Sequence, residues 1–329
     1  MRTPKAIVGL ALAAVFAAAC TSGSAATPLA STTPGPSAAP TAAPSLAPSE
    51  AASSSAAPTT APTPAPTQNA CAPSSLTLKT AGKLTLGSDN PAYPPYFAPS
   101  SPNPAPWELG DPTNGQGFEA AVGYAIADKL GFTKDQVVWV VTKFDNAIQP
   151  GDKNFDIYLQ EVSYSADRAQ AVDLSDGYYD VAQAVVALKD NKIASVTTIS
   201  GLKDFVFGAQ KGTTSYDLIG ATIAPNKDAK VYGTNDAALK ALGNGNIDGL
   251  VTDLPTAFYM TAAQLDNGVI VGQFPVAPGG EHFSAVLDKG STLTPCVNKA
   301  IAALKADGTL AQITQTWLAD KANAPVLQP

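Results

Sequence analysis

Apolar positions between residues 76 and 320 recur in two alternating rhythms. Short runs rich in β-branched and aromatic residues, "KLTLGS" (83–88), "VVWVVT" (137–142), "FDIYL" (155–159) and "AQAVVAL" (182–188), read as strands. Between the first two, "GFEAAVGYAIADKLG" (117–131) places Phe118, Ala121, Val122, Ala125, Ile126 and Leu130 on one helical face. Glu119 sits near the positive end of that helix and Gly131 stops it. The second half repeats the alternation, with strand "FVFGAQ" (205–210), a helix from about Thr214, helix "NDAALKALGNG" (235–245), strand "IDGLVT" (247–252), a helix from Leu254 and strand "VIVGQF" (269–274). Two closing helices span about 292–306 and 309–319. This pattern predicts an α/β chain with largely parallel sheets, divided into two lobes.

The N-terminal region follows neither rhythm. Arg2 and Lys5 precede an apolar run over 6–19 that is too short to span a bilayer, which reads as an export signal. It ends in Ala17, Ala18 and Ala19 before Cys20, fitting cleavage and lipid attachment at Cys20; alanine stands where bacterial lipoproteins usually carry leucine, and ordinary cleavage stays open. Residues 20–70 are almost wholly Ala, Ser, Thr and Pro and cannot bury enough apolar surface to offset the entropy of ordering, so they read as an extended tether.

Three cysteines in an exported chain leave Cys71 and Cys296 once Cys20 is lipidated, and these are expected to pair; two buried thiols are the alternative. The net charge of −7 falls by two to −9 when Arg2 and Lys5 are lost, and with no basic cluster this argues against nucleic acid as a partner. With His282 as the only histidine, neither a Ser-His-Asp triad nor a histidine-rich metal site can be assembled, and no metal or cofactor is expected. "GNGNIDG" (243–249) follows a helix and precedes a strand, so it is a turn rather than a phosphate loop.

Five ordered blocks, "LTLGSDNPAYPPY", "GFEAAVGYAIADKLG", "FDIYLQEVSYSADRAQAVDLSDGYYDVAQAVV", "FGAQKGTTSYD" and "IDGLVTDLPTAFY", resemble the extracellular polar amino acid-binding proteins that serve ABC importers. The resemblance implies a two-lobed periplasmic-binding-protein-like fold with two crossover hinge segments. By analogy the first lobe is 71–180 plus 283–329 and the second 181–282. It implies a free amino acid as ligand, an ABC permease as partner, a monomer, and an extracytoplasmic location on a lipid anchor.

The resemblance also assigns roles. Arg168 stands where the family clamps the ligand carboxylate, a task suited to a planar two-bond fork; a local salt bridge to Asp167 or Asp173 is the competing reading. Thr213 and Thr214 open a helix after a strand, placing their amides toward an anion, though either can be a simple cap. Asp253 is the acceptor for the ligand ammonium or only a helix cap, and Ser163 adds a hydroxyl. Tyr93 and Phe144 match aromatic positions around the ligand, with plain core packing as the alternative. Asp89 and Glu161 are two acids that favour a cationic or amide side chain. Tyr96 and Trp107 read as surface or loop packing, and His282 as an ordinary inter-lobe residue. The competing function is an exported dehydratase on the same scaffold, with Glu161 as general acid.

Overall fold

In a computed structural model, which describes residues 70–277, 279–318 and 324–329, the apolar runs become the strands of two five-stranded sheets. In chain order the strands are β1 (Leu84–Ser88), β2 (Val137–Val141), β3 (Ile157–Tyr158), β4 (Asp173–Leu174), β5 (Tyr179–Asp180), β6 (Gln183–Leu188), β7 (Phe207–Gln210), β8 (Lys230–Tyr232), β9 (Gly249–Asp253), β10 (Gly268–Gln273), β11 (His282–Phe283) and β12 (Val286–Leu287). The first sheet has the order β2-β1-β3-β12-β4 and the second β10-β6-β9-β7-β8. The leader (1–19), Cys20 and nearly all of the 20–70 segment lie outside the described residues.

The sheets are mixed rather than largely parallel. β1 pairs in parallel with β2 and β3, and β7 with β8 and β9, as strands linked through helices do. β12 and β6 instead enter antiparallel to their neighbours. Each arrives directly from a crossover between the sheets, with no helix to turn the chain round before it pairs.

Those crossovers meet in a two-stranded antiparallel ribbon in which Asp180 pairs with His282 and Tyr179 with Phe283. His282 is half-buried there and stacks on Tyr164, ring centroids 5.4 Å apart. Gly177 packs so closely that a Cβ would lie 2.5 Å from the imidazole, so no larger residue fits at that turn.

β1 is buried along its whole length because both faces of the first sheet are covered. The helix Phe118–Lys129 packs on the closing helices Thr294–Ala306 and Thr309–Leu318, and Phe118, Ile126, Val297 and Ile301 join Leu84 and Leu86 in one core. Cys71 and Cys296 are disulfide-bonded, with Cα atoms 5.4 Å apart, fastening the start of the described chain to the first closing helix. Trp107, in the loop after β1, is 5 % exposed and belongs to this core, so of its reading as surface or loop packing the loop part holds and the surface part does not.

In the second sheet successive residues of β6 serve opposite faces, as the pleat requires. Val185 and Ala187 pack with Phe207 and Ile219, whereas Ala184 and Val186 pack with Leu242, Leu250 and Met260. The chain's last residues, assigned above to the first lobe, belong here instead. Leu327 is buried against Val271 and Phe274, and Val326 bridges to Gln273. One apolar side chain filling a gap in the second core outweighs the proximity of 324–329 in sequence to the first lobe.

Candidate functional site

The segments following β1, β3, β7 and β9 converge between the two sheets, at the carboxyl ends of parallel strands where α/β sheets leave a crevice. A cavity of about 60 Å³ lies there, and all nine positions singled out above line it: Asp89, Tyr93, Phe144, Glu161 and Ser163 with Arg168 from one side, Thr213, Thr214 and Asp253 from the other.

Arg168 sits on the short helix Ala166–Ala171, whose cap Ser165 accepts from the Arg168 amide at 3.2 Å. The guanidinium is buried and lies over Phe144, 5.5 Å from the ring centroid. Nη1 donates to the Ser163 carbonyl, and Nη2 reaches across to the Gly212 carbonyl at 2.7 Å. Neither local acid holds it: Asp173 accepts from Thr294 at 2.9 Å and lies 3.6 Å from Lys289 Nζ, and no salt bridge among the described residues includes Arg168. Burial pulls its pKa down, while Glu281 and Asp217 act to raise it.

Opposite it, Gly212 turns β7 into the helix Thr214–Leu218 with a φ of +75°, a conformation that glycine adopts without strain. Thr213 caps this helix, accepting from the Tyr216 amide at 3.2 Å, so its cap role and its place on the cavity wall coexist. Thr214 donates its hydroxyl to Glu281 at 2.5 Å, and Gln183 donates to the same carboxylate at 2.9 Å while accepting from Ser215 at 2.7 Å.

Asp253 ends β9 and caps the helix Leu254–Tyr259, accepting from the Thr256 amide at 2.9 Å. The hydroxyl of Tyr96 donates to the same Asp253 oxygen from the other lobe. Tyr96 has no exposed surface, so of its reading as surface or loop packing only the loop part holds. Sequence carries no signal for it, because its partner lies 157 residues away.

Glu161 follows β3 with a φ of +54°, a conformation costly for a side chain with a Cβ and found chiefly where surroundings enforce it. Its amide donates to Glu119 Oε1 at 2.7 Å, and its carboxyl accepts from Thr256 Oγ1 at 3.0 Å and Gln160 Nε2 at 3.0 Å. Burial, then the nearby Asp253 and Glu119, pushes the Glu161 pKa well up. Glu119 also accepts from the Tyr178 hydroxyl and is pushed up to about 7 by burial. Sequence reading saw in Glu119 only a helix-dipole position; an acid beside Phe118 and Ala120 in an apolar first turn was the available hint.

Asp89 spends its oxygens locally, accepting from the amides of Asn90 at 2.7 Å and Phe144 at 3.1 Å, and burial raises its pKa. Tyr93 is 7 % exposed; burial, then the neighbouring Asp236 carboxylate, pushes its hydroxyl's pKa up. No cluster of metal-ligating side chains occurs among the described residues, and no described helix is long and apolar enough to cross a membrane.

The chain is similar to the L-cystine-binding protein TcyA of Bacillus subtilis, 26% identical over 248 residues that cover 74% of this chain and 84% of that protein. Among solved structures, an ancestral arginine-binding protein bound to glutamine matches with a TM-score of 0.58 at 28% identity, covering 72% of this chain and 98% of the other. The ancestral amino acid-binding protein AncCDT-1, a precursor of cyclohexadienyl dehydratase, matches with a TM-score of 0.56 at 26% identity, covering 72% and 95%. Residues 100–320 match the profile of one family over most of the two-lobed region, and the chain therefore belongs to the bacterial extracellular solute-binding proteins, family 3.

Proposed function

We propose that the protein captures a free amino acid with a polar or cationic side chain in the inter-lobe cleft and delivers it to an ABC importer. The observation that carries this is that one cavity is lined by groups of unlike charge: the buried Arg168 guanidinium, beside Thr213 and Thr214, and the Asp253 carboxyl. A zwitterion supplies the complementary pair, its carboxylate to the guanidinium fork and its ammonium to the Asp253 carboxylate. Tyr93 and Phe144 offer aromatic walls for the ligand stem, Ser163 a hydroxyl, and Asp89 and Glu161 the excess negative charge that selects a cationic or amide side chain. Names of the relatives, which bind cystine, arginine or glutamine, support the same class.

In this reading the β5–β11 ribbon is the hinge. Ligand bridges the two walls and shifts the population toward the closed form, which the membrane permease recognises. The protein works as an extracytoplasmic monomer tethered through a lipid on Cys20, without a cofactor. Partition of the mature protein into membranes, abolished in Cys20→Ala, is the expected result for the anchor; a soluble wild type with an unmodified cysteine contradicts it.

A thermal-shift screen across all amino acids tests the binding reading, since a ligand that binds only the folded state raises the melting temperature. Stabilisation by one or a few polar or basic amino acids is expected, and no response to any of them rejects it. A second reading, an enzyme acting on a cyclic amino acid precursor with Glu161 as general acid, draws on the raised pKa of Glu161 and the likeness to AncCDT-1. Steady appearance of an altered product decides for it.

A further inference from the structure

Where the two crossovers meet the second sheet, their side chains are bonded to one another and to the cavity wall. Val181 donates its amide to the Glu281 carbonyl at 3.0 Å beside the β5–β11 ribbon, and Gln183 opens β6 two residues later. The Glu281 carboxylate then takes two donors on one oxygen, Thr214 Oγ1 at 2.5 Å and Gln183 Nε2 at 2.9 Å. Gln183 Oε1 in turn accepts from Ser215 Oγ at 2.7 Å. Gln183, Thr214 and Ser215 line the cavity, whereas the half-buried Glu281 does not.

The direction of this chain of bonds is set by its end. A carboxylate only accepts, so Thr214 and Gln183 both donate to Glu281, and the Gln183 oxygen is left to take the Ser215 proton. Bonds to a charged acceptor are the stronger kind, and no salt bridge among the described residues draws Glu281 away. None of these residues belongs to the first sheet, so the network needs no contact across the cleft and persists whether the lobes are apart or together. Its two ends touch different things. Thr214 and Ser215 form the first turn of the helix Thr214–Leu218, next to the Gly212 carbonyl that Arg168 reaches. Glu281 adjoins His282, which pairs with Asp180 in the ribbon and stacks on Tyr164.

We propose that Glu281 is a positioning residue for ligand-driven closure: it holds the Thr214 turn on both crossover strands, so that contact of the ligand with that turn is passed to the ribbon that bends. The inference rests on the binding reading above and on its hinge, and it names the side chains that join the two. A ligand touching Thr214 or Ser215 acts on an oxygen hydrogen-bonded to a crossover, directly or through Gln183, and not on a wall that moves by itself. Glu281 also supports the Arg168 charge, and a role confined to that charge predicts something different. Both bonds arrive at the same Glu281 oxygen, so glutamine, with a carbonyl oxygen in that place, keeps them and loses only the charge, whereas alanine loses both.

Calorimetry of the full chain with the protein amino acids and L-cystine gives affinities, and small-angle scattering with and without a saturating amount of whichever binds gives the compaction on closure. Glu281→Ala is expected to bind about tenfold more weakly and to compact less than the wild type even at saturation, while Glu281→Gln stays close to the wild type in both. Thr214→Val removes the same bond from its other end and should likewise compact less, which keeps the test open should Glu281→Ala fail to fold. Glu281→Ala combined with Thr214→Val should bind no more weakly than the weaker single variant, because one bond is lost only once. A merely structural role lowers the melting midpoint without ligand and leaves compaction at saturation complete. Full compaction in Glu281→Ala or in Thr214→Val, additive losses in the double variant, or a Glu281→Gln that behaves like Glu281→Ala overturns the coupling and leaves the binding reading intact. A wild type that binds none of these compounds overturns the binding reading and the coupling together.

Discussion

The hydroxyl of Tyr96, in the loop after β1, donates to Asp253 at the end of β9, so that a fully buried residue of one lobe is fastened to the helix cap of the other. On the proposed hinge reading this bond belongs to the closed cleft. Tyr96→Phe keeps the ring and its edge contacts with Phe118 and Phe283 and removes only the donor. Losing one partner of a buried carboxyl costs about 1–3 kcal/mol, which is expected as a fivefold to hundredfold fall in ligand affinity by calorimetry. Unchanged affinity would show that the bond does not hold the closed form.

Arg168→Ala leaves a ligand carboxylate without its fork, and truncating one member of a buried charge pair costs roughly 2–5 kcal/mol. Affinity is expected to fall about thirtyfold or more at about 1.4 kcal/mol per decade, with Arg168→Lys recovering part of it. The guanidinium also ties Ser163 to Gly212 across the cleft, so the ligand-free protein is expected to close less readily in both variants, measurable by small-angle scattering. Unaltered affinity in Arg168→Ala would end the carboxylate-clamp reading.

Asp89→Ala and Glu161→Ala separate the two acids proposed to set specificity. Each is expected to weaken a basic or amide ligand by about tenfold or more, because an unpaired cation in the cavity is costly. Asp89 additionally anchors the Phe144 amide, so its loss should loosen the aromatic wall as well. Preference of the wild type for glutamate or leucine over every basic and amide amino acid would contradict this assignment.

Glu119 predicts a pH dependence of stability. Its folded pKa of about 7 stands above its ordinary value of 4.5, so the folded state holds this proton more tightly than the unfolded chain. The resulting stabilisation is complete below the ordinary value and is lost as pH rises toward about 7, a loss on the order of 3 kcal/mol at 1.36 kcal/mol per unit. Glu119→Gln should flatten the profile, and urea melts at acid and mildly alkaline pH on both proteins read the difference. Identical pH slopes would exclude Glu119 as the source.

The Cys71–Cys296 bond closes a sequence separation of 225 residues, for which chain entropy gives on the order of 5 kcal/mol as an upper figure. Reduction is expected to lower the urea midpoint of the intact protein strongly. Alkylation of unreduced, denatured protein should label neither cysteine, and two reactive thiols would refute the bond in solution.

Local pattern decided what local physics can decide. Strand runs such as 83–88, the helix within 117–131, though not which of its residues are buried, and the strand-to-helix turn at Gly212 were legible because period, capping and glycine conformation depend on near neighbours. The ordered blocks of the family resemblance extended that reading to eight cavity-lining positions spread over some 160 residues, and the same resemblance, outside the blocks, to Phe144. Strand direction in the mixed sheets, the placement of Leu327 in the second core, and the burial of Tyr96 and Trp107 were decided only by tertiary structure. Each of these turns on a partner brought from far along the chain, where desolvation and packing in three dimensions outweigh anything encoded in the neighbouring residues.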